Sequence, residues 1–147
     1  MFNKIIKLVI FLGFTKSLLA QEILTFDDAK IAVKKGYDIN IVVNLKKCSS
    51  DKIGKDFGRI INFKPDNFTL NNDNNLITSS YRNFTVFHPE HSGTQIYEYF
   101  NSYILADNTL VISVLHYSAK TKEQVCPSVK FACHLGSAAR LVVNNLS

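Results

Sequence analysis

Residues 37–46 have the sequence YDINIVVNLK, and they decide the fold class of this chain. Apolar side chains occupy every second position of the stretch: Tyr37, Ile39, Ile41, Val43 and Leu45. The positions between them are mostly polar, so the pattern predicts a β-strand with one buried face and one solvated face. A solvated face is typical of antiparallel sheets, because parallel strands are covered on both sides and form continuous apolar runs.

A short helix is predicted immediately before this strand, over residues 25–35 (TFDDAKIAVKK). Thr25 can cap its first turn, where Asp27 and Asp28 would face the positive end of the helix dipole. Gly36 follows as a residue that can end the helix in the left-handed conformation. The two aspartates are therefore interpreted as helix-start residues rather than as a catalytic carboxylate pair.

Further strands are predicted where alternating or β-branched segments are bounded by turn residues. The clearest segments are residues 59–64, 84–88, 95–105, 109–118 and 129–135, with residues 68–70 and 76–80 as a candidate further pair and residues 138–143 as a last strand or a short helix. The chain is therefore predicted to be an α+β domain. In it, an N-terminal helix is followed by a curved antiparallel β-sheet of six or seven short strands, with closure towards a barrel as an open alternative.

The first twenty residues have the layout of a secretory signal peptide. Lys4 and Lys7 precede a short apolar core, residues 8–14 (LVIFLGF), and Ala20 ends the stretch before the expected cleavage. The apolar run is far shorter than the roughly 20 residues that span a bilayer, which favours cleavage over a retained anchor. The expected mature chain, residues 21–147, is a single domain with no stable membrane anchor, located in the periplasm or secreted.

The charge of the chain argues against nucleic-acid binding. The full sequence has 17 Lys and Arg and 12 Asp and Glu, a net charge of +5. Three of these lysines and no acidic residue lie in the predicted signal, which leaves 14 against 12, or +2. The remaining basic residues are mostly scattered, whereas nucleic-acid binding needs a clustered basic face. The sequence contains neither a phosphate loop nor a dinucleotide fingerprint, and no cofactor is predicted.

Three cysteines remain in the mature chain, and exported domains of this size commonly contain a disulfide. Cys126 and Cys133 lie seven residues apart. In an extended strand that is about 23 Å, whereas the Cα atoms of a disulfide lie within about 7 Å. Cys48 and Cys133 are the favoured pair, because Cys133 lies on the predicted core face and Cys48 closes the first strand. Cys126 would then be a free thiol, or would pair with another molecule.

Two groups of residues are candidates for catalysis. His88 and His91, with Glu90 between them, could join His116 in a zinc or copper site, although Pro89 favours a polar turn. The second candidate is a nucleophile–base pair of Cys126 and His134, for which the sequence supplies no group that orients the base. These residues define the alternative function, a metal-dependent or thiol-dependent hydrolase in the periplasm.

Tyrosines supply the candidate ligand-binding surface. Four of them lie on the two arms of the predicted hairpin: Tyr97, Tyr99, Tyr103 and Tyr117. They could line a sheet face or the mouth of a curved sheet, with core and rim packing as the competing interpretation. The preferred function is binding of a protein partner or small-molecule ligand, without enzymatic activity.

The chain resembles the VirK family of small exported bacterial proteins. The likeness lies in the helix that ends at Gly36 and in segments that occur in the same order: IVVNLKKC (41–48), FGRIINF (57–63), FTV (84–86), YFNSYILADNTLVISV (99–114) and KFACHLG (130–136). The resemblance implies a signal peptide, one small domain and association with virulence regulons, and it carries over no active-site residue. Cysteines matching Cys48 and Cys133 recur in that family, whereas Cys126 departs from its pattern. Delivery to a host cell is a third hypothesis.

Overall fold

The computed structural model describes residues 20–51, 59–71, 73, 75–86 and 93–144. In chain order the elements of these ranges are β1 (Gln21–Ile23), α1 (Phe26–Lys34), β2 (Asp38–Asn44), a 3-10 helix (Leu45–Lys47), β3 (Ser49–Ser50), β4 (Ile60–Phe63), β5 (Phe68–Asn71), β6 (Leu76–Thr85), β7 (Ile96–Leu105), β8 (Thr109–Ser118), β9 (Gln124–His134) and β10 (Ala139–Asn144). The fold is mostly antiparallel β-structure with one short α-helix, broadly α+β.

The strands form two antiparallel sheets rather than the single predicted one. The smaller sheet has the order β1-β10-β2-β4, and the larger sheet has the order β3-β9-β8-β7-β6-β5. Both orders are open within the described ranges, so the alternative of closure towards a barrel is wrong. The strand number is also larger than the six or seven predicted, because β1 and β3 have three and two residues and are too short to show a period.

One hydrophobic core joins the two sheets. In β2, the alternation of residues 37–46 buries Ile39, Ile41 and Val43, none of them more than 2% exposed. The larger sheet contributes a matching row from β8, in which Leu110 and Ile112 are fully buried. Because both rows belong to the same cluster of buried side chains, each sheet has its apolar face on this core.

The helix has the local signals that the sequence predicts. Thr25 Oγ1 accepts a hydrogen bond from the backbone N–H of Asp28 at 3.2 Å, and Gly36 follows the helix with φ +67°. The helix adds three buried side chains to the core, those of Phe26, Ala29 and Ala32. It follows β1, so it is not the first element of the described chain.

The substitution Thr25→Ala should lower the free energy of unfolding by about 1 kcal/mol, because it removes the oxygen that accepts the Asp28 N–H. Urea unfolding followed by circular dichroism measures this change. Thr25→Ser retains the hydroxyl and is the matched control, with stability close to that of the wild type. An alanine variant as stable as the serine variant would contradict the role of the cap.

The larger sheet contains longer strands than the sequence predicts. Separate strands are expected at residues 76–80 and 84–88, whereas β6 is one strand of ten residues. Its middle residues pair in register with β7, and the Tyr81 ring lies 5.7 Å from that of Phe63 and 6.0 Å from that of Phe100. Long-range pairing and ring packing extend β6 through a segment without a clear local strand signal.

The β7–β8 hairpin ties the larger sheet to the helix. Asn108 has φ +66° in its turn, a conformation that asparagine tolerates better than most residues. The Asn108 side-chain oxygen accepts a hydrogen bond from Phe26 N at 2.7 Å, and its carbonyl oxygen accepts one from Leu135 N at 2.9 Å. Hydrogen bonds from the backbone and the side chain of Thr109 lower the pKa of the neighbouring Asp107 carboxyl.

Candidate functional site

The two faces of the larger sheet carry different candidate groups, because successive residues of a strand point to opposite sides. In β7, Ser102 and Ile104 are buried, and Ile104 belongs to the core. Glu98 has the same parity as these residues and so shares their inner face. Tyr97 and Tyr99 have the opposite parity and lie on the outer face of the sheet.

A concavity of about 550 Å³ lies on the outer face. Its lining comes from β6, β7, β8 and the turn that follows β8, and consists of Arg82, Tyr97, Tyr99, Asn101, Leu115, Tyr117 and Lys122. The rings of Tyr99 and Tyr117 meet edge to face at 5.5 Å. The cationic groups of Arg82 and Lys122 lie 5.4 and 4.9 Å from the centre of the Tyr97 ring. None of these seven lining residues is acidic, so the concavity has a positive character.

Three of the four candidate tyrosines come together in this concavity: Tyr97, Tyr99 and Tyr117. Tyr103 lies farther along β7, opposite Val111, and is 38% exposed. It has the same parity as Tyr97 and Tyr99 but does not line the concavity. The sequence indicated the tyrosines, whereas it gave no sign that Arg82 and Lys122 would flank them.

A row of polar side chains crosses the inner face of the same sheet. Asn83, Glu98, His116 and Cys126 stand opposite one another on four neighbouring strands, β6 to β9. His116 Nδ1 lies 3.1 Å from Cys126 Sγ, and His116 Nε2 lies 3.4 Å from Glu98 Oε1. Asn83 Nδ2 donates a hydrogen bond to Glu98 Oε2 at 3.2 Å. His116 is only 7% exposed, so the centre of the row is withdrawn from solvent.

An irregularity in β9 brings Cys126 into this row. Val114 pairs with Val129 and His116 pairs with Cys126, so two steps along β8 match three steps along β9. The extra residue falls at Pro127–Ser128, where proline cannot donate a ladder hydrogen bond. In a regular strand, Cys126 and Cys133 would face opposite sides, because they are an odd number of residues apart. The bulge changes the phase and turns Cys126 towards the inner face.

The structure does not bring together Cys126 and His134, the nucleophile–base pair proposed from the sequence. His134 lies at the opposite end of β9 from Cys126, with its Nδ1 2.6 Å from the carbonyl oxygen of Leu135. The partner of Cys126 is His116 instead. His88 and His91 fall outside the described residues. Within the described ranges, no group of three His, Cys, Asp or Glu residues could hold a metal ion. The predicted Cys126–His134 pair therefore gives the hydrolase alternative no support.

Sequence reasoning did not identify Glu98 and Asn83. A signal for Glu98 was available, because it falls in the even-numbered series of residues 96–104, where the buried residues Ile96 and Ile104 also lie. A carboxylate in an apolar row is expected to have a hydrogen-bonding or charged partner on a neighbouring strand, because burial of an unpaired charge is costly. The partners of Glu98, which are Asn83 and His116, could not be named, because they depend on the registers of β6 and β8 against β7.

A disulfide joins Cys48 to Cys133, with the Cα atoms 4.5 Å apart. Ser49 of β3 pairs with Ala132 of β9, and this pairing places the two cysteines opposite each other. A structural disulfide is consistent with an extracytoplasmic protein, since such bonds persist in oxidising compartments. Among the helices of the described residues, none has the length and apolarity required to cross a membrane.

Comparison with known proteins gives two matches. The family model described as VirK protein matches residues 22–122. The chain is also similar to a VirK family protein from Legionella pneumophila, known from its crystal structure, with 27% sequence identity and a TM-score of 0.74. That match covers 82% of this chain and 97% of the other. No curated protein matches the chain.

Proposed function

Since the chain belongs to the VirK family, we propose that it is an exported, virulence-associated protein that binds an anionic ligand in the outer concavity of its larger sheet. One observation carries this proposal. Arg82 and Lys122 both lie over the ring of Tyr97, in a concavity that three tyrosines line and to which no carboxylate contributes.

The tyrosines favour a ligand with a flat apolar face. Tyr99 and Tyr117 pack edge to face, which holds both rings in place on neighbouring strands. Rings fixed in this way offer contact area at a small cost in side-chain entropy, and their hydroxyl groups add hydrogen bonds. The concavity volume of about 550 Å³ is within the range of small-ligand sites.

The two cations favour a negatively charged ligand. Arg82 and Lys122 both lie near the ring of Tyr97, although they come from distant parts of the chain. Arg82 lies on β6, and Lys122 lies in the turn after β8. An incoming carboxylate would meet both positive groups while the rest of the ligand covers the tyrosine rings. An acidic oligosaccharide combines these properties, because its sugar rings have apolar faces and its carboxylates project from their edges.

The proposed location outside the cytosol rests on two features. The disulfide between Cys48 and Cys133 would persist in an oxidising compartment. The amino-terminal sequence has the charge and apolar pattern of an export signal. Cell fractionation tests this part of the proposal: the protein should appear in the periplasmic or secreted fraction with its amino terminus beginning at Gln21.

A direct binding test uses the protein comprising residues 21–147 and a galacturonic acid tetramer as the probe. Isothermal titration should detect binding of this acidic oligosaccharide and none of maltotetraose, a neutral sugar of the same length. Arg82→Gln or Lys122→Gln should weaken binding about tenfold, because each removes one charge-assisted contact. The affinity should also fall as salt is added.

Lys120→Gln is the matched control for these variants. Lys120 is exposed and only two residues from Lys122, but it does not line the concavity. Its substitution should leave the affinity within about twofold of the wild type, since an exposed charge outside the site contributes little. Equal binding of the acidic and neutral sugars, or equal losses in all three variants, would refute a site built around Arg82 and Lys122.

A further inference from the structure

We propose that Cys126 is a reactive thiol, activated by His116, which Glu98 orients, and that it forms mixed disulfides with low-molecular-weight disulfides. This modification site is separate from the proposed ligand site. It lies on the inner face of the larger sheet, whereas the concavity lies on the outer face.

The polar row pairs a nucleophile with a base. His116 presents Nδ1 to Cys126 Sγ at 3.1 Å and Nε2 to Glu98 Oε1 at 3.4 Å. A neutral ring that gives its proton to the carboxylate side has its other nitrogen available to accept the thiol proton. A nucleophile within reach of a base, which a third group orients, is the arrangement that activates side chains for covalent chemistry.

Asn83 and the sheet ladder hold the carboxylate of Glu98 in place. Asn83 Nδ2 donates to Glu98 Oε2 at 3.2 Å, while the other carboxylate oxygen faces His116. The four residues occupy direct cross-strand positions, so the backbone ladder of the sheet sets their spacing. Glu98 therefore orients the imidazole without contacting the sulfur, and it is a positioning residue.

Burial of His116 and Glu98 has a cost in free energy. The inner row of β8 runs through Leu110, Ile112 and Val114 before it reaches His116. A further apolar residue would continue the packing, whereas a buried imidazole–carboxylate pair must overcome a desolvation penalty. The chain therefore has a hydrogen-bonded polar residue at position 116, where an apolar residue would pack on the core. This choice indicates a chemical role for His116.

The sulfur of Cys126 is accessible to small molecules in solution. Cys126 is partly exposed, and the next residue, Pro127, is exposed. The bulge therefore places the thiol at the border between the buried row and solvent. The disulfide of Cys133 is about 20 Å away along β9, too far for exchange within the folded molecule.

The reaction is thiol–disulfide exchange. Cys126 gives its proton to His116 Nδ1, and the thiolate attacks one sulfur of a disulfide R–S–S–R. A bond forms between Cys126 Sγ and that sulfur, while the R–S–S–R bond breaks and releases R–S⁻. The imidazolium returns the proton, so the products are the mixed disulfide and R–SH, and the disulfide reagent is the oxidant. This exchange needs only a thiolate and a proton acceptor, the two groups that the row supplies.

The test uses the folded protein of residues 21–147 with its disulfide intact, and dithiodipyridine as the probe. Release of thiopyridone gives the rate from pH 6 to pH 9. At pH 7 the folded protein should react at least about tenfold faster than the same chain unfolded in guanidinium, where His116 no longer meets Cys126. Mass spectrometry after exposure to oxidised glutathione should show one adduct, on Cys126.

Single substitutions distinguish activation of the Cys126 thiol from a purely structural role of the polar row. His116→Gln should slow the reaction about tenfold at pH 7 and give the steep pH dependence of an ordinary thiol. Glu98→Gln should have a smaller effect in the same direction, and His134→Gln is the matched control with an unchanged rate. Circular dichroism establishes that each variant is folded. A His116→Gln protein as fast as the wild type, or an unfolded chain as fast as the folded one, would overturn the proposal.

Discussion

Replacing Cys48 and Cys133 together by alanine should lower the free energy of unfolding by roughly 4.5 kcal/mol. The bond closes a loop across 85 residues of sequence, which includes nearly all of the larger sheet and β4 of the smaller one. Without the disulfide, the loop is no longer closed and the unfolded chain has more conformational entropy, which favours unfolding. The expected loss is comparable to the whole stability of many single domains, about 5–15 kcal/mol.

The position of this disulfide adds to its effect. Cys48 follows the 3-10 helix after β2 of the smaller sheet, and Cys133 is a fully buried residue of β9 in the larger sheet. The bond therefore crosses from one sheet to the other beside their common core. Loss of the bond should make the contact between the sheets less stable, in addition to its effect on the unfolded chain.

Urea unfolding at equilibrium measures the change, and the reduced wild-type protein should behave like the double variant. Cys126→Ala is the control, since this residue is outside the disulfide and its removal, which leaves a nitrogen of the buried His116 without its thiol partner, should cost about 1–3 kcal/mol. If the double variant and the Cys126→Ala variant unfold at the same urea concentration, the disulfide does not stabilise the domain as proposed.

Elements with strong local signals could be predicted from the sequence. Residues 37–46 alternate so regularly that the buried face of β2 follows from period two alone. The helix between Thr25 and Gly36 has a cap at each end, and the hairpin of residues 95–118 has its turn at Asn108. In each case the signal lies within a few residues of the structure that it specifies.

The division into two sheets could not be predicted, because alternation indicates which side of a strand is buried but not which strand lies beside it. β10 pairs with β2, about a hundred residues earlier in the chain. β9 and β10 follow one another in sequence but belong to different sheets. These pairings depend on long-range packing, which leaves no period in the sequence.

The candidate sites depend on pairings of the same kind. Asn83 and Cys126 are three strands apart, and their connection requires the register of every strand between them. The bulge at Pro127 then decides which side of β9 carries the thiol. The sequence therefore indicated individual candidate residues, such as Cys126 and Tyr97, while their partners emerged only from the pairing of the strands.

The substitution Ile41→Ala should lower the free energy of unfolding by about 3 kcal/mol, through lost burial and the cavity that remains. Ile41 is fully buried in β2, between Leu141 of β10 and Phe63 of β4. It lies in the alternating stretch that predicts the fold, and its side chain points into the core that both sheets share. The surrounding strands limit collapse around the cavity.

Ile60→Ala is the matched control for this effect. It removes the same atoms from the neighbouring strand β4, at a position that is 71% exposed. Its cost should be at most about 0.5 kcal/mol, because little apolar surface leaves the core. Urea unfolding of both variants gives the comparison directly. The two substitutions remove the same atoms, so only the burial of Ile41 in the core distinguishes them. Equal losses of stability for Ile41→Ala and Ile60→Ala would therefore mean that the alternation in residues 37–46 does not define the buried face.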